Sequence, residues 1–243
     1  MYAEASHLRT LQKDHNLILL QPDEFAVLTG KGSLNLPDRH REHFGRVLRR
    51  REIFWPALVS DGSGKITRAR VENEAIHSEG ELLAFAPKPP KIVLVQAWVK
   101  NKALSLILQK AAEIGVQKIW LTDTEHSQPH SEKPARIDAI LENACMQAYN
   151  PLKPEVVFAA KLSDITLVRD ETFFGDLEAG LSLAHVNRTQ GKSAVFINGP
   201  EGGFSPAETA ELRERATGVL LSENVLRSDS AAIIALGFLR LPA

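Results

Sequence analysis

Hydrophobic and polar residues after position 91 follow two periodicities that alternate along the chain. Short apolar runs predict buried strands, and apolar residues three or four positions apart predict helices that pack on one face. The predicted strands are residues 92–98, 117–122, 155–159, 172–176, 194–198 and 218–222. Two apolar stripes mark helices, namely Leu104, Ile107, Leu108 and Ala111, and then Ile137, Ile140, Leu141 and Ala144. This alternation predicts a mostly parallel α/β domain.

Several helix ends in the same region carry residues that typically cap helices. Gly115 follows the first stripe, where a glycine in the left-handed conformation commonly ends a helix. Ser205, Pro206 and Glu208 have the spacing of a capping box with proline at the first helical position. The sequence therefore predicts a helix that begins at residue 206 and a last apolar helix at residues 231–241.

The residues before position 87 have a different pattern. Short strand-like runs lie at residues 17–20, 54–60, 65–71 and 81–86, and Asp61-Gly-Ser-Gly64 forms a turn between two of them. This pattern predicts a small β-barrel. Three prolines between residues 86 and 91 stiffen the backbone and remove N–H donors, so the domain boundary is predicted there. The two predicted domains are residues 1–86 and 91–243.

A glycine-rich turn, Gly199-Pro-Glu-Gly-Gly203, joins a predicted strand to the helix at residue 206. Its glycines allow positive φ and leave backbone N–H groups open to a ligand. The alternative is a plain connection in which glycine only relieves turn strain. Residues 219–230 repeat the order of strand, loop and helix. Two such loops can meet at one edge of a parallel sheet, where open α/β sheets bind ligands.

These two segments resemble the carboxy-terminal motifs of the RsmE family, the 16S rRNA uracil-N3 methyltransferases of the SPOUT superfamily. The similar sequences are G-P-E-G-G-F-S-P-A-E from Gly199 and L-S-E-N-V-L-R-S-D-S-A from Leu221. Further similarity lies in Lys102 followed by Q-K-A-A-E-I-G-V, in E-H-S from Glu125, in H-F-G-R-V-L-R from His43 and in D-G at Asp61. The resemblance covers nearly the whole chain.

The resemblance implies an α/β fold in which a PUA-like RNA-binding β-barrel precedes a SPOUT-type domain with a carboxy-terminal trefoil knot. It also implies a homodimer that transfers a methyl group from S-adenosyl-L-methionine to N3 of a uridine in small-subunit rRNA, with the 30S particle as partner. Two alternatives stay open. One is a divergent SPOUT paralogue that methylates another RNA or binds RNA without turnover. The other is an unrelated α/β enzyme that binds phosphate, although the lysine of a P-loop and the G-x-G-x-x-G spacing are both missing.

Three loops are expected to hold the cofactor, mainly through backbone N–H and C=O groups. The predicted cofactor-binding residues are Gly175, Asp176, Leu177, Asn198, Gly199, Pro200, Glu201, Gly202, Gly203, Leu221, Ser222, Val225, Leu226, Arg227 and Ser230.

Three residues are the candidates for catalysis. Arg227 is predicted to orient the uracil or a phosphate, and Glu201 or Asp229 to accept the imide proton. Each has a structural alternative, because Glu201 can interact with a helix N-terminus, and Ser228 and Asp229 can cap the last helix.

Residues 39–51 hold six arginines and two histidines against one glutamate, which predicts a basic helix face. His43, Arg46, Arg49 and Arg50 are the predicted RNA contacts in this segment, and Lys102 is predicted as a further one. Arginines that neutralise phosphates make RNA binding dependent on salt. The alternative is an ordinary solvated helix face.

The composition excludes several other classes of protein. A net charge of −1 gives no global attraction to nucleic acid. A single cysteine, Cys145, excludes an internal disulfide and suits a reducing cytosol. Apolar runs stay well below the roughly 18 residues of a membrane span. The prediction is a cytoplasmic protein without a membrane segment or a metal.

Several positions depart from the family pattern. Met146 and Asn150 stand where the family has a glutamate and an arginine, and Asn224 stands where it has an arginine. Ser222 replaces a glycine. These changes predict that cofactor binding is kept and that recognition of the rRNA is weakened.

Overall fold

The computed structural model describes residues 15–41, 54–86, 90–130, 132–167, 171–186, 188–189 and 191–241. The described residues cluster into two compact units. One falls within Met1–Pro87 and Cys145–Lys153, and the other within Lys88–Ala144 and Pro154–Ala243. Each unit is built on its own β-sheet.

The first unit contains a five-stranded sheet with the strand order β1-β3-β4-β5-β2. Its elements are β1 (Asn16–Leu19), α1 (Pro22–Lys31), β2 (Ser33–Asn35), β3 (Phe54–Ser60), β4 (Lys65–Glu72) and β5 (Ala75–Ala84). β1 is parallel to β3, and the other neighbours are antiparallel. Ile18, Leu28, Val59 and Ile76 are buried in the core of this unit.

Three elements of the first unit differ from the predicted pattern. The hydrophobic pattern does not predict α1, which buries only Phe25 and Leu28, or the three-residue β2. The strand expected at residues 81–86 is the end of a longer one, since β5 begins at Ala75. Its polar first half pairs with β4 on one side and with β2 on the other. Backbone hydrogen bonds on both sides therefore extend the strand beyond its apolar run.

The second unit contains a six-stranded sheet with the order β11-β9-β10-β6-β7-β8, in which every neighbouring pair is parallel. Its strands are β6 (Ile92–Ala97), β7 (Lys118–Thr122), β8 (Glu155–Ala159), β9 (Thr172–Gly175), β10 (Ala194–Asn198) and β11 (Thr217–Val219). Its longer helices are α2 (Asn101–Ile114), α3 (Pro134–Ala148), α4 (Pro206–Arg215) and α5 (Ser228–Arg240), with the last residues of α3 clustering with the first unit. The predicted mixed α/β fold is confirmed.

The local signals that mark α2 and the start of α4 are confirmed. The apolar stripe of α2 is fully buried, and Gly115 ends the helix at φ 85°, where its N–H donates to the Ala111 carbonyl at 3.1 Å. In α4, the Ser205 hydroxyl accepts from the Glu208 N–H at 3.3 Å, and the Glu208 carboxylate accepts from the Ser205 N–H at 2.9 Å. Ile140 of α3 is only half-buried, in contrast to Ile137.

Two boundaries near the carboxy-terminal end differ from the prediction. The strand expected at residues 218–222 ends at Val219, because β11 pairs only with the short β9. Leu220 instead exchanges backbone hydrogen bonds with residues 181–183. The last helix begins three residues earlier than predicted, at Ser228.

The order of the strands determines where loops meet. β9 lies between β10 and β11 and is parallel to both. Because the carboxyl ends of parallel strands point to the same edge, the loops after these three strands start side by side.

Within the parts of the chain that the structure describes, no helix has both the length and the apolarity needed to cross a bilayer.

Candidate active site

A pocket of about 790 Å³ lies where the loops after β9, β10 and β11 meet. This volume is within the range of small-molecule sites, about 300 to 1,000 Å³. Most of the predicted cofactor residues line it, namely Gly175, Asp176, Leu177, Asn198, Gly199, Pro200, Glu201, Gly202, Gly203, Leu221, Ser222, Val225, Leu226 and Arg227. Ser230 and Asp229 are not part of its wall. The structure thus brings together three segments that are far apart in sequence.

Glycine is needed at three positions of the loop after β10, for a different structural reason at residue 203 than at residues 199 and 202. Gly203 has φ 71°, a conformation that favours glycine. A Cβ atom on Gly202 would lie 3.0 Å from Cβ of His126, and one on Gly199 would lie 3.2 Å from the Phe204 ring. Any side chain at residue 202 would therefore displace its neighbours or fill the pocket.

A buried polar network fixes the base of the pocket. The Asn198 side-chain amide donates to Gln96 Oε1 at 2.8 Å, to Ser228 O at 3.0 Å and to Ser228 Oγ at 2.9 Å. The Ser228 hydroxyl in turn donates to the Gly199 carbonyl at 2.7 Å. The network connects β6, the end of β10 and the start of α5. Asn198 is a predicted cofactor residue, and its amide is already engaged within the protein.

The loop after β9 is held by charged groups. Asp176 accepts a hydrogen bond from Nε of Arg213 at 2.9 Å, and Glu178 accepts one from Nη2 of the same side chain at 2.9 Å. The hydrogen bonds that Arg213 donates to Glu178 and Asp176 raise the pKa of Arg213 above its ordinary value. A Cβ atom on Gly218 would lie 2.9 Å from Asp176 Oδ2, so this close approach requires glycine.

Arg213 and Glu178 also line the pocket, although the sequence pattern does not single them out. The only signal for Arg213 is its place on a polar helix next to the glycine loop, and such helices are common. Other residues of the wall that the sequence does not predict are Phe174, Phe204, Pro206, Thr209, Val219, Leu220, Ser228 and Ala231.

The three catalytic candidates lie in different surroundings. Glu201 Oε1 accepts a hydrogen bond from the backbone N–H of Lys100 at 3.0 Å, immediately before α2. The Arg227 side chain is 78% exposed, and its Nε lies 3.4 Å from Oδ1 of Asp229, which is largely buried. Arg227 is thus the more exposed of the two arginines in the described pocket wall, since the Arg213 side chain is 46% exposed. Glu201 holds the glycine loop against the start of a helix.

The alternative in which Ser228 or Asp229 is the N-cap of the last helix is wrong, because both residues lie inside the helix. The N-cap residue of α5 is Arg227, without a capping hydrogen bond from its side chain. Ser228 is the first helical residue, and its hydroxyl is used by the buried network.

Asn224, at a position that departs from the family pattern, is exposed in the pocket wall. Its backbone N–H donates to the Ser222 hydroxyl at 3.1 Å.

Most predicted RNA contacts lie outside the described residues, namely His43, Arg46, Arg49 and Arg50. Lys102 is exposed in the first turn of α2. Residues 39–41 are the described part of the arginine-rich segment. Arg39 forms an ion pair with Glu24, and the hydrogen bonds that Arg39 donates lower the pKa of that carboxyl group.

No three histidine, cysteine, aspartate or glutamate side chains come together in a metal-binding arrangement within the described ranges.

Comparisons with known proteins show the family to which this chain belongs. The family model described as an RNA methyltransferase domain matches residues 86–240. This chain belongs to that RNA methyltransferase family. Two relatives named ribosomal RNA small subunit methyltransferase E confirm the predicted resemblance. The protein from Mycobacterium tuberculosis is 26% identical over 234 residues, with 87% of each chain covered. The one from Aquifex aeolicus is 31% identical over 153 residues, which is 60% of this chain and 66% of the relative.

Two solved structures are similar over most of the chain. The ribosomal RNA small subunit methyltransferase E from Neisseria gonorrhoeae, bound to S-adenosyl methionine, has a TM-score of 0.75 and 25% identity, and covers 91% of this chain and 95% of its own. A methyltransferase from Legionella pneumophila in complex with the bound cofactor has a TM-score of 0.75 and 26% identity, with 93% and 96% covered.

Proposed function

We propose that this protein is an S-adenosyl-L-methionine-dependent methyltransferase of small-subunit rRNA, and that its target atom is N3 of a uridine. The main support is the pocket at the ends of β9, β10 and β11, in a chain that belongs to an RNA methyltransferase family. The similar Neisseria structure holds S-adenosyl methionine. Its cytoplasmic location is part of the same proposal.

The residues of the pocket fit this cofactor. Leu177 and Val225 line it although they are 65% and 80% exposed, and such apolar side chains suit the faces of an adenine ring. Backbone groups of residues 199–203 and 221–227 bind the polar edges, since no side chain stands at Gly202 or Gly203. The bound cofactor supplies a methyl group already activated by its sulfonium. The protein holds donor and acceptor in line and excludes water.

The target base is oriented by Arg227, the exposed guanidinium at the pocket wall. Glu201 or Asp229 accepts the imide proton. Glu201 lines the pocket but is engaged by Lys100, whereas Asp229 lies beside Arg227 outside the wall. Glu201→Gln and Asp229→Asn show which of the two carboxylates is the proton acceptor. Only the variant that loses the acceptor also loses the rise of kcat with pH.

The finer architecture belongs to the same proposal. Residues 1–86 form a PUA-like RNA-binding domain, and residues 91–243 form a SPOUT domain with a trefoil knot. The knot is supported by the path of the chain after β11, which runs along residues 181–183. The Leu220 N–H donates to the Leu181 carbonyl, and the Leu220 carbonyl accepts from the Leu183 N–H. A homodimer is supported by Ile234, an apolar residue of α5 that is 45% exposed. Multi-angle light scattering tests the dimer, and a monomer at micromolar concentration contradicts it.

The direct test of the proposed function is a calorimetric titration with S-adenosylmethionine, followed by methyl incorporation into 30S particles from cells that lack their own enzyme. Gly202→Glu abolishes cofactor binding, because the new side chain meets His126 and the pocket. Gly30→Glu is the matched control, since a Cβ atom at Gly30 meets nothing within 4 Å. Nucleoside mass spectrometry identifies the methylated atom. Unchanged cofactor affinity in a folded Gly202→Glu variant contradicts the pocket assignment.

RNA binding by the arginine-rich segment is tested by Arg46→Ala combined with Arg49→Ala. In a plot of the logarithm of RNA affinity against the logarithm of salt concentration, the slope becomes shallower by about one unit for each lost phosphate contact. Arg39→Ala is the control, because Arg39 is paired with Glu24. An unchanged slope in the double variant assigns the segment to an ordinary solvated surface.

A further inference from the structure

Three aromatic rings form a stack at the carboxyl edge of the other half of the second sheet. Trp98 follows β6, His130 lies beyond β7, and Phe158 is next to the last residue of β8. The indole centroid is 4.3 Å from the His130 ring with an interplanar angle of 28°. It is 6.1 Å from the Phe158 ring with an angle of 14°. The three planes are therefore close to parallel, as in stacked rings.

The outer rings of this stack are open to solvent, whereas its centre is not. Phe158 is 50% exposed and the His130 side chain is also 50% exposed, while Trp98 is only 3% exposed. A phenylalanine that served only the core would hide most of its ring. The indole thus acts as a buried backing for two rings whose surfaces are accessible.

Hydrogen bonds fix the stack in place. His130 Nε2 lies 2.6 Å from Asp123 Oδ1, which sets the orientation of the imidazole. The Gln128 N–H donates to the Trp98 carbonyl at 3.0 Å, which ties the loop after β7 to the end of β6. A surface held in this way loses little entropy when a flat ligand binds.

The stack is connected to the pocket through the loop after β7. His126 Nδ1 lies 3.1 Å from the Gly203 carbonyl oxygen, and the Glu125 N–H donates to Glu208 Oε1 at 2.9 Å. The pocket at the ends of β9 to β11 and the stack at the ends of β6 to β8 therefore share one edge of the same sheet.

Positive charge accompanies the stack. An exposed lysine lies within four residues of each ring along the chain, at positions Lys100, Lys102, Lys133 and Lys161. The acids within the same four residues are already engaged, because Glu132 lies 4.0 Å from Arg136 and Glu155 lies 3.4 Å from Lys118. Asp123 pairs with His130 itself. Stacking rings beside lysines are typical of sites for unpaired nucleic acid.

We propose that Phe158 and His130, backed by Trp98, bind an unpaired nucleobase of the RNA substrate outside the methyl-transfer pocket. The proposal rests on the proposed function, because the family and the pocket make RNA the substrate. Sequence-specific recognition of RNA commonly uses bases splayed onto aromatic rings. The stack holds the strand on one side of the target nucleotide, and the lysines contact its phosphates.

The test compares Phe158→Leu with Phe158→Tyr by fluorescence anisotropy on a short unpaired RNA. Leucine keeps an apolar side chain without an aromatic face, so it weakens binding by about fivefold or more, while tyrosine binds within about twofold of the wild type. The salt slope is the same in all three proteins, since stacking involves no phosphate. An RNA of abasic residues binds the wild type and Phe158→Leu equally.

Leu241→Ala is the surface control, because Leu241 is an exposed apolar residue of the same unit and lies outside the stack. It keeps wild-type RNA affinity. His130→Ala is the second variant, and we expect it to weaken RNA binding as well. It tests the proposal if Phe158→Leu does not fold.

Several outcomes overturn the proposal. Wild-type affinity in Phe158→Leu, an equal loss with abasic RNA, or a changed salt slope each excludes base stacking at this site, as does a wild type that does not bind the RNA. Titration with S-adenosylmethionine on the same samples distinguishes failure of the nucleobase site from failure of the proposed function. A wild type that binds the cofactor and methylates 30S particles while Phe158→Leu is unaltered contradicts only the nucleobase site. A wild type without cofactor binding contradicts the proposed function itself.

Discussion

Two loops that line the pocket are held in place by different interactions. The end of β10 and residue 199 are tied to the sheet and to α5 by the buried, uncharged contacts of Asn198 and Ser228. Further along the same loop, Glu201 accepts one exposed hydrogen bond from the Lys100 N–H. Residues 175–178 are tied to α4 by the exposed guanidinium of Arg213. Buried hydrogen bonds are barely affected by salt, whereas exposed ion pairs are screened by it. The comparison predicts that salt weakens the side-chain contacts of residues 175–178 more than the buried contacts at the start of the glycine loop.

The largest effect is expected at the buried network. Asn198→Leu removes the donor and leaves the Gln96 and Ser228 oxygens without it, which lowers the free energy of unfolding by about 3 kcal/mol. Cofactor affinity falls as well, because residue 199 loses its fixed position. Urea unfolding and calorimetry measure the two effects. Asn224→Leu is the matched control on the exposed loop, and a loss as small as in that variant shows that the network does not anchor the glycine loop.

The next largest effect is expected in the loop after β11, which also lines the pocket. We expect weak or absent N3 methylation of standard small-subunit rRNA by the native chain, because Asn224 lacks the charge of an arginine. Asn224→Arg adds a charge-assisted hydrogen bond of about 1.5 to 3 kcal/mol to the RNA and raises methylation of 30S particles roughly tenfold or more. Asn224→Gln is the neutral control and gives no gain.

Adding Asn150→Arg to that variant tests the other departure from the family. The Asn150 side-chain oxygen accepts a hydrogen bond from the Leu152 N–H at 3.0 Å, and arginine has no acceptor to replace it. We therefore expect a small loss of stability along with any gain in RNA binding. Full activity of the native chain contradicts the prediction and makes Asn224 a tolerated variation. Inactivity of every variant despite cofactor binding favours a different RNA target.

A smaller effect is expected at residues 175–178. Arg213→Gln releases Asp176 and Glu178, so cofactor binding weakens by roughly twofold to fivefold, the size of an exposed ion pair. The wild type approaches the variant as salt rises, because salt screens the pair. Lys110→Gln removes a comparable surface pair with Glu113 and leaves cofactor affinity unchanged. Equal salt dependence in Arg213→Gln and the wild type removes the distinction between the two loops.

The smallest effect is expected at an ion pair of the first unit. Arg39 lowers the pKa of Glu24, so this pair stabilises the folded state above the unfolded pKa of Glu24. The contribution is lost as pH falls through the lower folded value. Arg39→Ala costs less than about 1 kcal/mol at neutral pH and nothing in strong acid. Chemical unfolding at several pH values checks this, and a cost that grows toward acid pH contradicts the assigned sign.

Local signals in the sequence are sufficient to predict structure where the interacting groups lie within a few residues of each other. Gly115 and the pair of Ser205 and Glu208 act within a few residues, so their structures follow from spacing alone. The apolar stripe of α2 is equally local. By contrast, α1 has too narrow an apolar stripe to be predicted, and the first half of β5 is a strand because β2 and β4 supply its hydrogen bonds.

The same distinction applies to the candidate site. Glycine content and a marked helix start are enough to predict residues 199–203 as a candidate ligand loop, and the structure places these residues in the pocket wall. Arg213 cannot be selected in this way, because its partners Asp176 and Glu178 lie more than 30 residues away. The stack of Trp98, His130 and Phe158 likewise joins three strand ends that are separated along the chain.

Short-range information in the chain is enough for the order of strands and helices in the second unit, for the helix ends at Gly115 and Ser205 and for the family. These properties depend on periodicity, on turn chemistry and on motifs. Tertiary packing was needed to place β9 between β10 and β11, to direct the Asn198 amide to Gln96 and Ser228, and to bring Glu201 to the start of α2. Such long-range contacts depend on how the whole sheet packs, because each requires groups that only folding brings within hydrogen-bond distance.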